Sequence, residues 1–278
     1  MDNIHETNQA NETGARERGK RLGPEESRMQ GHWLLAKIGK TVLRPGGLEM
    51  THRILDNAHI TDKDRVVEFG PGVGRTAKFL FGKNPESYTG VDREPREEMR
   101  KLVAEHPKAN LVSADAKDTG LPPESCDVIV GEAMLTMQPD AAKKAIMEEA
   151  FRILAPGGRY AIHEMGLDSS LTDEDITRVK KDLSTTIKVG ARPLVAKEWV
   201  KLLESVGFEV PYRTHNEMAL LKPRRVLADE GIFGVMRIMK NLLKNKAARN
   251  RVKKMRAVFK KHEKDLCAVG FVAVKPTA

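Results

Sequence analysis

Short apolar runs alternate along this chain with stretches whose apolar residues return every three or four positions. The runs at 66–69, 88–92, 110–113, 126–130 and 160–163 are too short for buried helices and predict strands. Between and after them, residues 76–81, 140–154, 173–186 and 196–206 carry the helical period. Thr172 and Asp175 supply a capping box for the third of these, and Gly207 supplies the stop for the fourth. Two further runs, 208–221 and 266–274, read as strands six and seven. Strands that alternate with helices in this way predict an open α/β sheet.

The pattern changes at both ends of that core. Residues 1–28 are polar and rich in Asn, Glu, Arg and Gly, which predicts a disordered or loosely attached tail. Within 29–60, Trp33, Leu34, Ile38 and Val42 repeat at helical spacing, Pro45-Gly46-Gly47 interrupts, and Leu48, Ile54, Leu55 and Ala58 resume. This helical cap either folds over a ligand or packs on the sheet, since both need the same apolar face. The core is then 61–221 plus 265–278, with an insertion at 222–264. The insertion reads as two amphipathic helices bending near 245–248: Ile232, Phe233, Met236, Met239, Leu242 and Leu243, then Val252, Met255, Val258 and Phe259.

Charge singles out that insertion. It holds fifteen Lys or Arg against Asp229, Glu230 and Glu263, a net of +12 where all 278 residues sum to +9. A basic amphipathic element of this kind fits a substrate cap, a nucleic-acid footprint, an anionic membrane surface or a partner protein. Hydrophobic residues make up 40%, ample for a buried core. The two cysteines, Cys126 and Cys267, lie on separate predicted strands, which argues against a disulfide scaffold or a metal cluster and for a reducing compartment. With no signal-like segment and no apolar stretch long enough to span a bilayer, the expected location is cytoplasmic. The oligomeric state is left open.

The chemistry is concentrated at Glu68-Phe69-Gly70-Pro71-Gly72-Val73-Gly74, where a strand ends in an acid and opens into a glycine-spaced turn leading to a helix. The dinucleotide fingerprint needs a two-residue second gap, and here both gaps are single. The stretch instead resembles the first motif of class I S-adenosylmethionine-dependent methyltransferases. The next landmarks follow in order: Asp92 closing strand two, Asp115-Ala116 after strand three, Gly131-Glu132 after strand four, and Leu154-Ala155-Pro156-Gly157-Gly158 before strand five. The resemblance covers residues 60–165. It implies a Rossmann-like, doubly wound seven-stranded sheet, strand seven antiparallel at one edge, with an N-terminal helical lid and, between strands six and seven, a helical insertion at 222–264 that serves as a substrate cap. It also implies S-adenosyl-L-methionine as cofactor, with S-adenosyl-L-homocysteine as product. Cofactor contacts would come from Glu68, Gly70, Pro71, Gly72, Gly74, Asp92, Arg93, Asp115, Ala116 and Glu132. Asp92 would take the ribose hydroxyls; Asp115 and Ala116 would take the adenine edge.

Methyl transfer from a sulfonium asks the protein to align the acceptor and exclude water, and needs a base only for a protonated acceptor. The tips of strands four and five are where this fold places that task. His163 is the first candidate for base or acceptor-orienting group, with Glu132 and Glu164 beside it; Met134, Met137 and Met165 are candidates for an apolar pocket. His32, His52 and His215 could approach from the cap and are not ranked. After strand four there is neither the [DN]-P-P-[YFW] motif of base amino-methylation nor a Pro-Cys nucleophile. The core most resembles the ubiquinone, menaquinone, sterol and phosphoethanolamine branch, which implies a small-molecule or lipid-like acceptor. An RNA methyltransferase and a non-catalytic cofactor-binding protein are the alternatives.

Overall fold

The computed structural model describes residues 29–277. The tail expected at 1–28 lies outside them. Helices α1 (Gly31–Lys37) and α2 (Gly47–Asn57) precede β1 (Arg65–Phe69), α3 (Arg75–Gly82), β2 (Ser87–Asp92), α4 (Glu97–Ala104) and β3 (Ala109–Ser113). Then follow β4 (Cys126–Glu132), a 3₁₀ turn (Leu135–Met137), α5 (Asp140–Ile153), β5 (Leu154–Leu167), α6 (Asp173–Ile187), β6 (Leu194–Val195) and α7 (Ala196–Glu204). The chain closes with β7 (Glu209–Glu217), α8 (Pro223–Lys244), α9 (Lys246–Lys261) and β8 (Leu266–Val274).

The main sheet runs β3-β2-β1-β4-β5-β8-β7, with β6 beside β5. Strands β1 to β5 are parallel and β8 is antiparallel to both its neighbours. Two details depart from expectation. The two-residue β6 is an eighth strand too short to leave a periodic signal. The last strand sits one position in from the edge, because β7 pairs outside it.

Alternation along the strands sends side chains to two cores, as a parallel sheet covered on both faces requires. Val67, Phe69, Ile129, Tyr160 and Ile162 join α5 and α7 on one face. Val66, Tyr88, Val128, Val130 and Ala161 join Met50 and Ile54 of α2 and Leu80 of α3 on the other. This parity later decides where Glu68, Glu132 and His163 point.

A further core forms beyond the end of β5. Leu34, Leu35 and Ile38 of α1 pack with Val179, Leu183 and Ile187 of α6, Ile238 of α8, and Met255 and Phe259 of α9. The capping box of Thr172 and Asp175 starts α6, and the Asn245 side chain caps α9 by accepting from Ala248 N–H at 2.9 Å. The bend at 245 was legible in the sequence; the break at Gly231 was not. Gly231 sits at φ 67, ψ 175, a conformation open only to glycine. The break lets Glu230 accept from the N–H groups of Thr41 and Val42 at 2.8 and 2.9 Å, while Asp229 accepts from Leu48 N–H at 3.0 Å. The insertion is thereby fastened to the segment joining α1 and α2. No helix of the described residues is long and apolar enough to cross a membrane.

Candidate active site

A cleft of about 400 Å³ lies beyond the carboxyl ends of β1, β2 and β4. Gly70 and Gly72 form its floor at φ 64 and 56, positions where other residues are strained. A Cβ at Gly72 would meet nothing closer than a backbone oxygen at 3.9 Å, so the space beside it belongs to the cleft. Asp92, Arg93, Asp115, Ala116 and Glu132 line the walls. One oxygen of Asp92 accepts from Glu94 N–H at 3.0 Å; no protein group among the described residues bonds the other. Asp115 uses one oxygen for Lys117 N–H at 3.1 Å, and its other lies 3.8 Å from Lys117 Nζ in a half-exposed ion pair that leaves it room to accept. Two carboxylates with accepting capacity and a Cβ-free floor match a polyhydroxylated, amine-bearing ligand of nucleoside size. The roof is α1: His32 and Trp33 line the cleft, and Arg96 stacks over the Trp33 ring at 4.1 Å. Within the N-terminal cap, α1 thus borders the cleft while α2 packs on the sheet.

Three of the expected cofactor residues stand outside the cleft wall. Gly74 caps α3 at φ 76, where a Cβ would collide with Leu102 at 2.7 Å, so it is required by packing. Pro71 is buried beneath the loop, 3.3 Å from where a Cβ on Gly90 would lie. Glu68 has the parity of Val66 and turns away from the cleft, accepting from Tyr88 Oη–H at 2.7 Å. Burial pushes the Glu68 carboxyl up to about 8, so it is protonated at neutral pH. A folded value above the unfolded one means stability is greatest below about 4.5 and declines as pH rises towards 8. Glu68→Gln is expected to remove that decline and leave stability at pH 4.5 nearly unchanged, measured by urea unfolding across the interval.

Register and hydrogen bonding set the surroundings of the three strand-tip residues. Register places Glu132 opposite His163, both on the α2–α3 face. The Glu132 carboxylate is buried and receives Thr51 Oγ1–H at 2.7 Å, His163 Nδ1 at 2.9 Å, and short contacts from Thr76 and the Arg44 guanidinium. Burial alone would raise its pKa, but Arg44, His163 and Thr76 outweigh burial and hold it at about 2. His163 is fully buried, does not line the cleft, and has no partner for Nε2. Glu164 points to the opposite face. There it accepts from the N–H groups of Met134, Leu135 and Thr136 and from Thr136 Oγ1–H, at 2.6 to 3.0 Å. A carboxylate so occupied anchors the 3₁₀ turn. His163 is not part of the cleft wall, whereas Glu164, its oxygens occupied by the donors of the turn, contributes to the wall of the adjoining apolar pocket; strand parity and this hydrogen bonding are not displayed by a single sequence.

What the structure brings instead is an apolar pocket of about 40 Å³ against the cleft. Met137, Met165, Ile187, Met218, Met255 and Phe259 contribute to its wall, and His32, Leu43, Ala133 and Met137 border both spaces. Met137 and Met165 answer the expectation of a methionine-lined pocket, and Met134 lines the cleft. Burial, with help from Arg96, lowers His32 to about 4, so its ring is neutral at pH 7. Arg44 and Trp33 carried no signal as site residues. Nothing in sequence pairs Arg44 with a carboxylate 88 positions away.

This arrangement defines an α/β protein with a nucleoside-sized cleft adjoining an apolar pocket. Residues 67–162 match the methyltransferase domain family. An uncharacterized protein of Haemophilus influenzae is 32% identical over 250 residues, 88% of this chain and 96% of that protein. Ribosomal RNA small subunit methyltransferase A of Maridesulfovibrio salexigens is 33% identical over 36% of this chain and 38% of its own length. Among solved structures, the [4+2]-cyclase SpnF superposes with a TM-score of 0.67 at 15% identity, covering 90% of this chain and 97% of its own. Phosphoethanolamine N-methyltransferase 2 of Haemonchus contortus, in complex with S-adenosyl-L-methionine, gives 0.66 at 17%, covering 92% and 58%. The chain belongs to the class I S-adenosylmethionine-dependent methyltransferases.

Proposed function

We propose that this protein methylates a small, largely apolar acceptor held in the pocket beside the cofactor cleft. The observation that carries the reading is the shared wall: His32, Leu43, Ala133 and Met137 border both spaces, so a group in the pocket lies next to a ligand in the cleft. One structural neighbour, a phosphoethanolamine N-methyltransferase, supports a small acceptor, though a charged one, and the cyclase SpnF shows that this fold also serves other chemistry.

Gly70 and Gly72 would admit the cofactor backbone-close, Asp92 would accept from the ribose hydroxyls, and Asp115 with Ala116 would receive the adenine edge, flanked by Arg93. When bound, S-adenosylmethionine supplies the electrophilic methyl group and a thioether leaving group. Glu132, ionised and fixed by Arg44, presents negative charge at the cleft wall on the side where the methionyl ammonium would be placed. His32, neutral and aproned by Trp33, would accept a hydrogen bond from an acceptor hydroxyl or amine and orient it, while Leu43 and Met137 exclude water. The narrowness of the pocket implies that α1 shifts to admit the acceptor, since about 40 Å³ holds little more than a water.

Whole-cell lysates incubated with the protein and isotopically methyl-labelled cofactor, then separated into small-molecule and RNA fractions, should yield a new labelled metabolite. Label appearing only in RNA would favour the ribosomal-type alternative, and cofactor binding without any labelled product would favour a non-catalytic role. His32→Ala is expected to lower the rate of labelling about 100-fold, in the range of an acid–base or orienting group. Because the neutral ring is the useful form, its contribution should hold above pH 4 and fade as pH drops through about 4. A pH–rate profile of the parent protein against His32→Gln checks the sign.

A further inference from the structure

The insertion carries a surface that the site does not use. Leu227, Ile232, Phe233, Met236, Met239 and Leu243 are the large exposed apolar residues of α8, between 48% and 86% accessible. From 232 onward they fall at spacings of four, three and four, which sets Ile232, Met236, Met239 and Leu243 in one stripe. The opposite stripe, Gly234 and Ile238, is buried in the cap core. The helix therefore has two apolar faces and only one is covered, beyond what solubility favours.

Charge indicates what covers the other. The acids of α8 are turned inward: Asp229 binds Leu48 N–H and Glu230 binds the 41–42 backbone. Lys240 and Lys244 lie beside the outer stripe on α8, and α9 contributes exposed Lys253, Lys254 and Lys260 with no acid in its length, while Lys261 pairs with Asp182 at 2.7 Å. An exposed apolar strip on a helix whose own acids face inward and whose outward charges are cations is the pattern of a helix lying in the interfacial plane of an anionic bilayer. A second copy of the chain is a poorer occupant, since a twofold contact would bring like-charged margins together. RNA is poorer still, because the centre of the face is aliphatic and thioether rather than polar.

We infer that the outer face of α8 docks this protein on membranes rich in anionic phospholipid. The inference stands apart from the acceptor's identity. A separate groove, lined by Lys222, Arg256, Lys260 and Glu263, shares Met218 and Phe259 with the apolar pocket.

The test is flotation of the full chain with phosphatidylcholine vesicles containing or lacking phosphatidylglycerol, at low and high salt. Binding should be at least about tenfold tighter to the anionic vesicles and weaken with salt, and a Phe233→Glu, Met236→Glu double variant should lose about tenfold or more. Both positions are exposed, so the variant should keep its thermal midpoint and cofactor affinity, which are measured alongside. No binding to anionic vesicles, or equal binding by a folded double variant, overturns the inference. So does a concentration-dependent dimer that the double variant abolishes while vesicles are ignored.

Discussion

Replacing Asp92 with alanine is expected to raise the dissociation constant for S-adenosylmethionine and for S-adenosylhomocysteine about 100-fold, measured by titration calorimetry. Hydrogen bonds to a charged group contribute roughly 1.5–3 kcal/mol each, and about 2.7 kcal/mol corresponds to that factor. The fold should survive. Asp92 is only half-buried, and the bond lost within the protein is a single one from Glu94 N–H in an exposed turn. Asp92→Asn keeps that turn bond and removes the charge, so it should fall between parent and alanine. An alanine variant within about threefold of the parent would remove the ribose assignment while leaving the fold in place.

Arg44→Met is expected to cost about 3–5 kcal/mol of stability, because it strands the buried Glu132 carboxylate without its cation. The pair joins the loop before α2 to the tip of β4, so the loss should also loosen the lid. Its pH dependence has a definite sign. With its folded value at about 2 against an ordinary 4.5, Glu132 contributes stability that is complete above 4.5 and disappears as pH falls towards 2. In the methionine variant that acid loss should begin at higher pH. A second change, Glu132→Gln, made in the variant should recover most of the lost stability, as a double-mutant cycle on urea unfolding would reveal. A single-variant loss below about 1 kcal/mol would mean the ion pair is incidental.

The two variants also separate the parts of the site by how visible they are in sequence. Asp92, Gly70, Gly72, Asp115 and Ala116 belong to strand ends and the turns after them. Each is located by its own local pattern: an apolar run, then an acid or a glycine. Glu68 belongs to the same motif, yet the structure turns it behind the loop onto Tyr88. One residue's difference in parity along a strand reverses the face, and no neighbouring residue announces which face is the ligand's. His163 and Glu164 illustrate the same point. Adjacent on β5, they point to opposite sides, one into the Glu132 cluster and the other onto the amides of the 3₁₀ turn.

His32 shows the complementary gap. It was one of three unranked histidines, and its position between cleft and pocket arises only when α1 packs against α6 and α9. The amphipathic character of the insertion could be read directly, but not which of its apolar residues the cap would bury. That division depends on the break at Gly231, which sets the direction of the second half of α8.

Sequence alone determined the α/β alternation, the glycine turn, the two acids at the ends of strands two and three, and the methyltransferase family. These are properties of contiguous residues, where period and turn chemistry act locally. Tertiary structure decided the Arg44–Glu132 pairing, the burial of His163 and Glu164, the entry of His32 into the site and the exposed stripe of α8. Each depends on strand register or helix docking between segments distant along the chain, where free energy is set by what meets across space.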